Sequence, residues 1–157
     1  PKDTRKAAAY ILSELPPGVH RIDADFEGKI RMLGWTVEPP NVKPGTSTTV
    51  SFYYRCEQEM SRDWQIFIHG DGPRGGSHRI HADHFPVEGG LYPTTEWQQG
   101  EIIRDTFTIN VPVDYPFDYF YLWTGWYIGN QRLRLQNNPP NDGRNRVRGP
   151  RIRVLRD

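Results

Sequence analysis

The chain has 157 residues, 36% of them hydrophobic, and its 20 Lys and Arg against 19 Asp and Glu give a formal net charge of +1. That length holds one sizeable core and is short for two independent domains. The charge balance argues against a general nucleic-acid or acidic-substrate binder, no apolar run approaches the ~18 residues that would cross a bilayer, and a lone Cys56 excludes an internal disulfide and a cysteine-based zinc site.

The chain opens on Pro1-Lys2-Asp3 with no charged-then-apolar leader, which fits a mature or excised piece. Asp3 to Leu15 has an Asp/Thr start and a stripe of Ala7, Ile11 and Leu15 with Ala8 and Leu12 beside it, so a short helix is predicted, stopped by Pro16-Pro17-Gly18. Such a helix is marginal alone and is expected as an appendage. Residues 1–18 are therefore assigned to helix and linker, and 19–157 to one domain.

From Gly28 the pattern becomes alternation. GKIRMLGWTV reads as a strand with Ile30 and Met32 on one face and Leu33, Trp35 and Val37 on the other, followed by a proline-rich connection. TSTTVSFYYRC places Val50, Phe52, Tyr54 and Cys56 on one side, the signature of a half-buried strand. WQIFIHG groups Trp64, Ile66 and Ile68, GDGPRGG is a turn, and SHRIHADHF returns as the partner strand. After the irregular FPVEGGLYPTTEWQQG come the strand EIIRDTFTINV, the doubly aromatic YFYLWTGWYI expected at the centre of a covered sheet, a GNQ hairpin to RLRLQ, and the closing RVRGPRIRVL. Short strands punctuated by 15 Gly and 14 Pro predict an all-β fold. The expected architecture is an antiparallel β-sandwich, immunoglobulin-like or jelly-roll, with the short N-terminal helix attached.

Residues 69–84, HGDGPRGGSHRIHADH, hold four of the five histidines. Strand geometry puts His81 and Asp83 on one face, with His69 near them across the turn, and histidine with carboxylate suits zinc, iron or manganese. The stretch lacks HExxH or another tight ligand motif, so the favoured reading is a polar hairpin whose His and Asp bond nearby backbone, with no metal and no cofactor. A metal-assisted hydrolase using His69, His81, Asp83 and His84 is the rival. Ser77 beside His78, with Asp71 and Asp83 near in sequence, lacks a GxSxG elbow, and Asp83, Glu96, Glu101 and Asp105 are only nominal glycosidase carboxylates. A non-catalytic protein is expected.

Aromatic rings outside a core can stack on the apolar face of a sugar at little side-chain entropy cost. The expected ligand-binding rings are Tyr92, Trp97, Trp64 and Trp123. EWQQGEIIRD around Trp97 also reads as a corner in which Glu101, Arg104 and Asp105 order the long loop before it. The tail RNRVRGPRIRVLRD carries six Arg and one Asp. Arg151 and Arg153 share a face opposite Ile152 and Val154, and with Arg148 they form a basic edge that guards the sheet or meets an anionic partner.

Between Trp35 and Arg134 the phrases LGW, PGT, FIHG, HADHFP, YPTTEWQQGEIIRDTFTINVP, GWY and QRL stand in an order that resembles a β-sandwich accessory domain. That domain is attached to the extracytoplasmic side of membrane glycosyltransferases of the protein-mannosyltransferase type and is found in other bacterial envelope proteins. The resemblance aligns His69, Asp83 and Pro86 with recurring positions of a sandwich without catalysis of its own. It implies an extracytoplasmic location, in the periplasm or at the cell surface, with tethering through a membrane segment outside this sequence. The N-terminal helix and the arginine tail are not part of its pattern. The expected partner is a glycan or an envelope protein and not nucleic acid, and the expected role is glycan binding or docking within an envelope assembly. A purely structural protein-interaction subunit is the alternative.

Overall fold

The computed structural model describes residues 7–156. Its strands are β1 (Ile11–Leu12), β2 (His20–Phe26), β3 (Ile30–Glu38), β4 (Asn41–Val42), β5 (Ser47–Cys56), β6 (Gln65–Gly72), β7 (Gly75–His81), β8 (Ile102–Asn110), β9 (Tyr119–Ile128), β10 (Gln131–Arg132) and β11 (Val147–Val154). One sheet runs β1-β8-β5-β3-β2 and the other β4-β11-β9-β6-β7, with β10 paired to β9. All pairs are antiparallel except β4 with β11. This is the expected β-sandwich, with one parallel pair at its edge.

The alternation read from the sequence settles which side chains fill the space between the sheets. Val50, Phe52, Tyr54 and Cys56 of β5 are buried, as are Trp64, Ile66 and Ile68 around β6. They meet Phe120, Leu122 and Trp126 of β9 in one core that also takes in Ile103, Ile109, Val147 and Ile152. The His-rich stretch is a hairpin: Gly72 pairs with Gly75 across Pro73-Arg74, and Gly75 takes a φ of +59°, a conformation that costs a glycine nothing.

Among the described residues the predicted N-terminal helix is not formed. Asp3 to Lys6 lie outside the described residues, and beyond them Ala8–Tyr10 make a single 3-10 turn before the chain extends as β1. Ile11 and Leu12 pair with Ile103 and Ile102 of β8, and Ala7 is buried in the core. A three-turn helix is too short to hold itself, whereas β8 offered an unpaired edge with ladder hydrogen bonds to give. Of the apolar residues read as a helical stripe, Ile11 and Leu12 thus go to strand pairing and Ala7 to the core. Arg104 fastens the segment by donating to the Ala9 carbonyl at 3.1 Å and lying over the Tyr10 ring.

Candidate functional site

β9 is central, but only one of its faces is covered. Phe120, Leu122, Thr124 and Trp126 point into the core, and Tyr119, Tyr121, Trp123 and Tyr127 stand half-buried on the outer face. The registers place Arg148 opposite Trp123, Arg151 opposite Tyr121 and Arg153 opposite Tyr119. On the other flank His69 faces Trp123 and Asp71 faces Tyr121, and His81 lies beyond His69. A row of Arg148, Trp123, His69 and His81 therefore crosses four strands. Guanidinium groups lie diagonally over the rings: Arg146 is 5.0 Å from the Trp123 centroid, Arg148 5.1 Å from Tyr121 and Arg151 4.8 Å from Tyr119. The rings meet edge-on, Tyr119 with Tyr121 at 5.8 Å and Tyr121 with Trp123 at 6.5 Å. Each ring keeps part of its surface open beside a guanidinium edge.

A buried carboxylate anchors this comb. Asp71 accepts from Arg79 through both oxygens, at 2.7 and 2.9 Å, and from Arg146 at 3.3 Å. Arg146 also reaches Asp142 at 2.7 Å and donates to Nδ1 of His69 at 3.1 Å. Burial, with help from Arg79 and Arg146, pushes the His69 pKa down to about 4 against the pull of Asp83 and Asp71, so its imidazole is neutral at pH 7 and accepts that bond. His69 opens onto a cleft of about 310 Å³ shared with Phe67, Asp83, Tyr127, Asn130 and Arg132, in which Arg132 covers the Phe67 ring at 4.3 Å.

The floor of the cleft depends on Gly125. A Cβ added there would lie 2.6 Å from the Asn145 carbonyl oxygen and 2.6 Å from the Phe67 ring. Gly125→Ala is therefore expected to cost about 1–3 kcal/mol by overpacking, read as a lowered thermal midpoint, and to push Phe67 into the cleft.

Of the four rings expected to meet a ligand, Trp123 alone is on this face. Trp97 and Tyr92 are 0% exposed and Trp64 is 4% exposed, so no ligand reaches them, and their expected role is corrected to a structural one. The long loop folds inward because its polar atoms find partners there. The Trp97 indole donates to the Tyr92 carbonyl at 2.8 Å, and the Tyr92 hydroxyl donates to Glu101 at 2.7 Å, which also receives the Gln98 N–H at 2.8 Å. Burial and Glu101 together push the Tyr92 pKa up. EWQQGE is thus a closed corner over Tyr54 and Trp126.

The rival metal set is divided. His69 and His81 do face one another, with rings 5.9 Å apart, but Asp83 accepts the Ile68 N–H at 2.8 Å and His84 turns away to Asp105 at 2.6 Å. Among the described residues no three His, Cys, Asp or Glu side chains converge on a metal position, and the cations Arg79 and Arg146 stand beside His69. The hydrolytic candidates are equally engaged. Ser77 Oγ is 3.1 Å from His78 Nδ1, yet His78 rests against Phe117 and Asp71 is held by arginines.

Arg148, Arg151 and Arg153 are exposed along β11 while Ile152 and Val154 face the core, as the alternation predicted. The sequence reading missed Arg146, Arg132 and Phe67. The available signal for Arg146 was its place in one run with Arg148 and Arg151, which lie over Trp123, Tyr121 and Tyr119 in turn once the strands are paired.

No protein-family model matches the chain, and no curated protein matches it. Among solved structures it is similar to the crystal structure of the C-terminal domain of wzt, at 15% identity and a TM-score of 0.56, over 90% of this chain and 83% of that one. At that identity the likeness is one of fold. It supports the β-sandwich half of the resemblance read from the sequence and does not reach the attachment to protein-mannosyltransferase-type enzymes. The chain is a two-sheet β-sandwich sharing its fold with the C-terminal domain of wzt.

Proposed function

We propose that the chain is a non-catalytic glycan-binding module that works outside the cytoplasm, laying a saccharide along Tyr119, Tyr121 and Trp123 on the outer face of the second sheet. The observation that carries this reading is the comb of half-open rings and guanidinium groups on β9 and β11. An open ring surface receives the C–H face of a sugar, and the guanidinium edges beside it donate to ring hydroxyls. Asp71 fixes the Trp123 end of the comb through Arg146, which lowers the ordering entropy lost on binding there. The extracytoplasmic placement, and tethering in an envelope assembly, follow the resemblance carried by YPTTEWQQGEIIRD.

Trp123→Ala tests the reading. It is expected to weaken glycan binding about tenfold or more, measured on an array and by calorimetry, while the half-exposed position limits the stability loss to about 1 kcal/mol. Unchanged binding by this variant would overturn the proposed face. Tyr, Trp and Arg are also the residues that dominate protein–protein hot spots, which favours a second reading as a docking subunit. Blank arrays, with a co-purifying envelope protein lost on Trp123→Ala, would select it.

A further inference from the structure

The face described above ends at a second hollow, on the side of the sandwich where β2 and β3 approach β11. β4 pairs only with Arg153 and Val154, which leaves Arg148 and Arg151 at the border of the second sheet. Facing them, His20 pairs with Trp35 across β2 and β3, and their rings stack at 4.5 Å with 16° between planes. Gly34, next to Trp35, lets the two strands close tightly beneath the stack, since an added Cβ there would overlap the His20 carbonyl oxygen. Between the two sides lies a cavity of about 250 Å³, lined by His20, Trp35, Tyr121, Pro140, Arg148 and Arg151 among others. Tyr121 is common to this cavity and to the aromatic comb.

The wall is mostly ring and proline, and the rim is cationic. Arg148 and Arg151 have no carboxylate partner among the described residues, whereas Asp71, Asp142 and Asp118 are each taken by other arginines. Two guanidinium groups with planar donor forks beside an apolar hollow match a carboxylate or phosphate carried on a compact ring. The volume suits one monosaccharide unit and falls below the ~300 Å³ lower bound of sites for larger ligands. Glu38 lines the adjoining hollow of about 540 Å³, which Arg151 also borders, and discourages an anion from moving in that direction.

Resting on the glycan reading, we propose that this edge cavity takes an acidic sugar residue of the bound glycan, its ring against the Trp35–His20 stack and its anionic group between Arg148 and Arg151. The test uses oligosaccharides in matched pairs: oligogalacturonate with its methyl ester, and phosphate-bearing oligosaccharides with their dephosphorylated forms. The acidic member is expected to bind about tenfold or more tighter at low salt, and the difference should shrink as ionic strength rises. In the Arg148→Gln/Arg151→Gln variant, checked for folding by circular dichroism, the two members of a pair should bind equally. The pair that discriminates identifies the group as carboxylate or phosphate. Equal binding of both members by the unaltered protein, or a preference that survives the double substitution, overturns the acidic-sugar inference and leaves the glycan reading standing. Binding of no member of any pair defeats both.

Discussion

Trp97→Ala is expected to destabilise the protein by about 3–5 kcal/mol, the cost of emptying a large buried aromatic site. The indole is fully buried, meets Trp126 edge-on at 5.6 Å and Tyr54 at 6.2 Å, and donates to the Tyr92 carbonyl. Truncation removes the ring and strands that carbonyl, so the corner through Tyr92 and Glu101 loosens with it. Denaturant unfolding monitored by circular dichroism should show the midpoint falling sharply, and a midpoint like that of Trp123→Ala would refute the packing argument. The pair of tryptophan variants separates two roles that the sequence merged: Trp97 loss acts through folding, and Trp123 loss acts through the surface.

The second large effect is expected at His84→Ala, again about 3–5 kcal/mol, because it leaves a buried charge without its partner. Asp105 is 0% exposed and its Oδ2 lies 2.6 Å from His84 Nε2. Its Oδ1 has no hydrogen-bond partner among the described residues, so His84 carries the whole burden of compensation. Burial raises the Asp105 carboxyl pKa against the downward pull of His84. For His84, burial lowers the pKa, but the bond and charge of Asp105 outweigh it and the net shift is upward.

A raised folded pKa means tighter proton binding in the folded state, so the associated stability is lost as pH rises. The imidazole's contribution is fully present below its unfolded value near ~6.5 and disappears as pH passes the higher folded value. Unfolding midpoints measured from pH 6 to 9 should therefore decline for the native chain relative to His84→Ala/Asp105→Asn, which shares the opposite contribution of His69. His84→Ala/Asp105→Asn should recover part of the loss, because it removes the unpaired charge. A pH-independent difference between the native chain and the double variant, or a double variant no better than His84→Ala, would refute this account.

The sandwich was legible because strand alternation is a direct consequence of having one wet and one dry face. Val50, Phe52, Tyr54 and Cys56 could be placed in the core from spacing alone, and so could Ile152 and Val154 opposite Arg151 and Arg153. Ile11 and Leu12 were misread because five apolar residues near one another satisfy a helical stripe or an edge strand equally, and the choice depended on β8, which is remote in sequence. The site was half legible for a related reason. Composition identifies aromatic residues suited to sugars, but whether a ring faces ligand or core depends on which way its loop folds. Tyr92 and Trp97 looked exposed because their loop is rich in Gly, Pro and Thr, yet local hydrogen bonds turn it inward. Arg146 and Asp71 were invisible as a unit because their meeting needs β6, β9 and the chain before β11 assembled together.

The one parallel pair carries an implication for biosynthesis. Asn41 and Val42, made early, find their ladder partners only in Arg153 and Val154, and β9 waits for β11 to cover its flank. A ribosome must therefore deliver nearly the entire described sequence before the second layer can close, and the half-built layer carries open strand borders during translation.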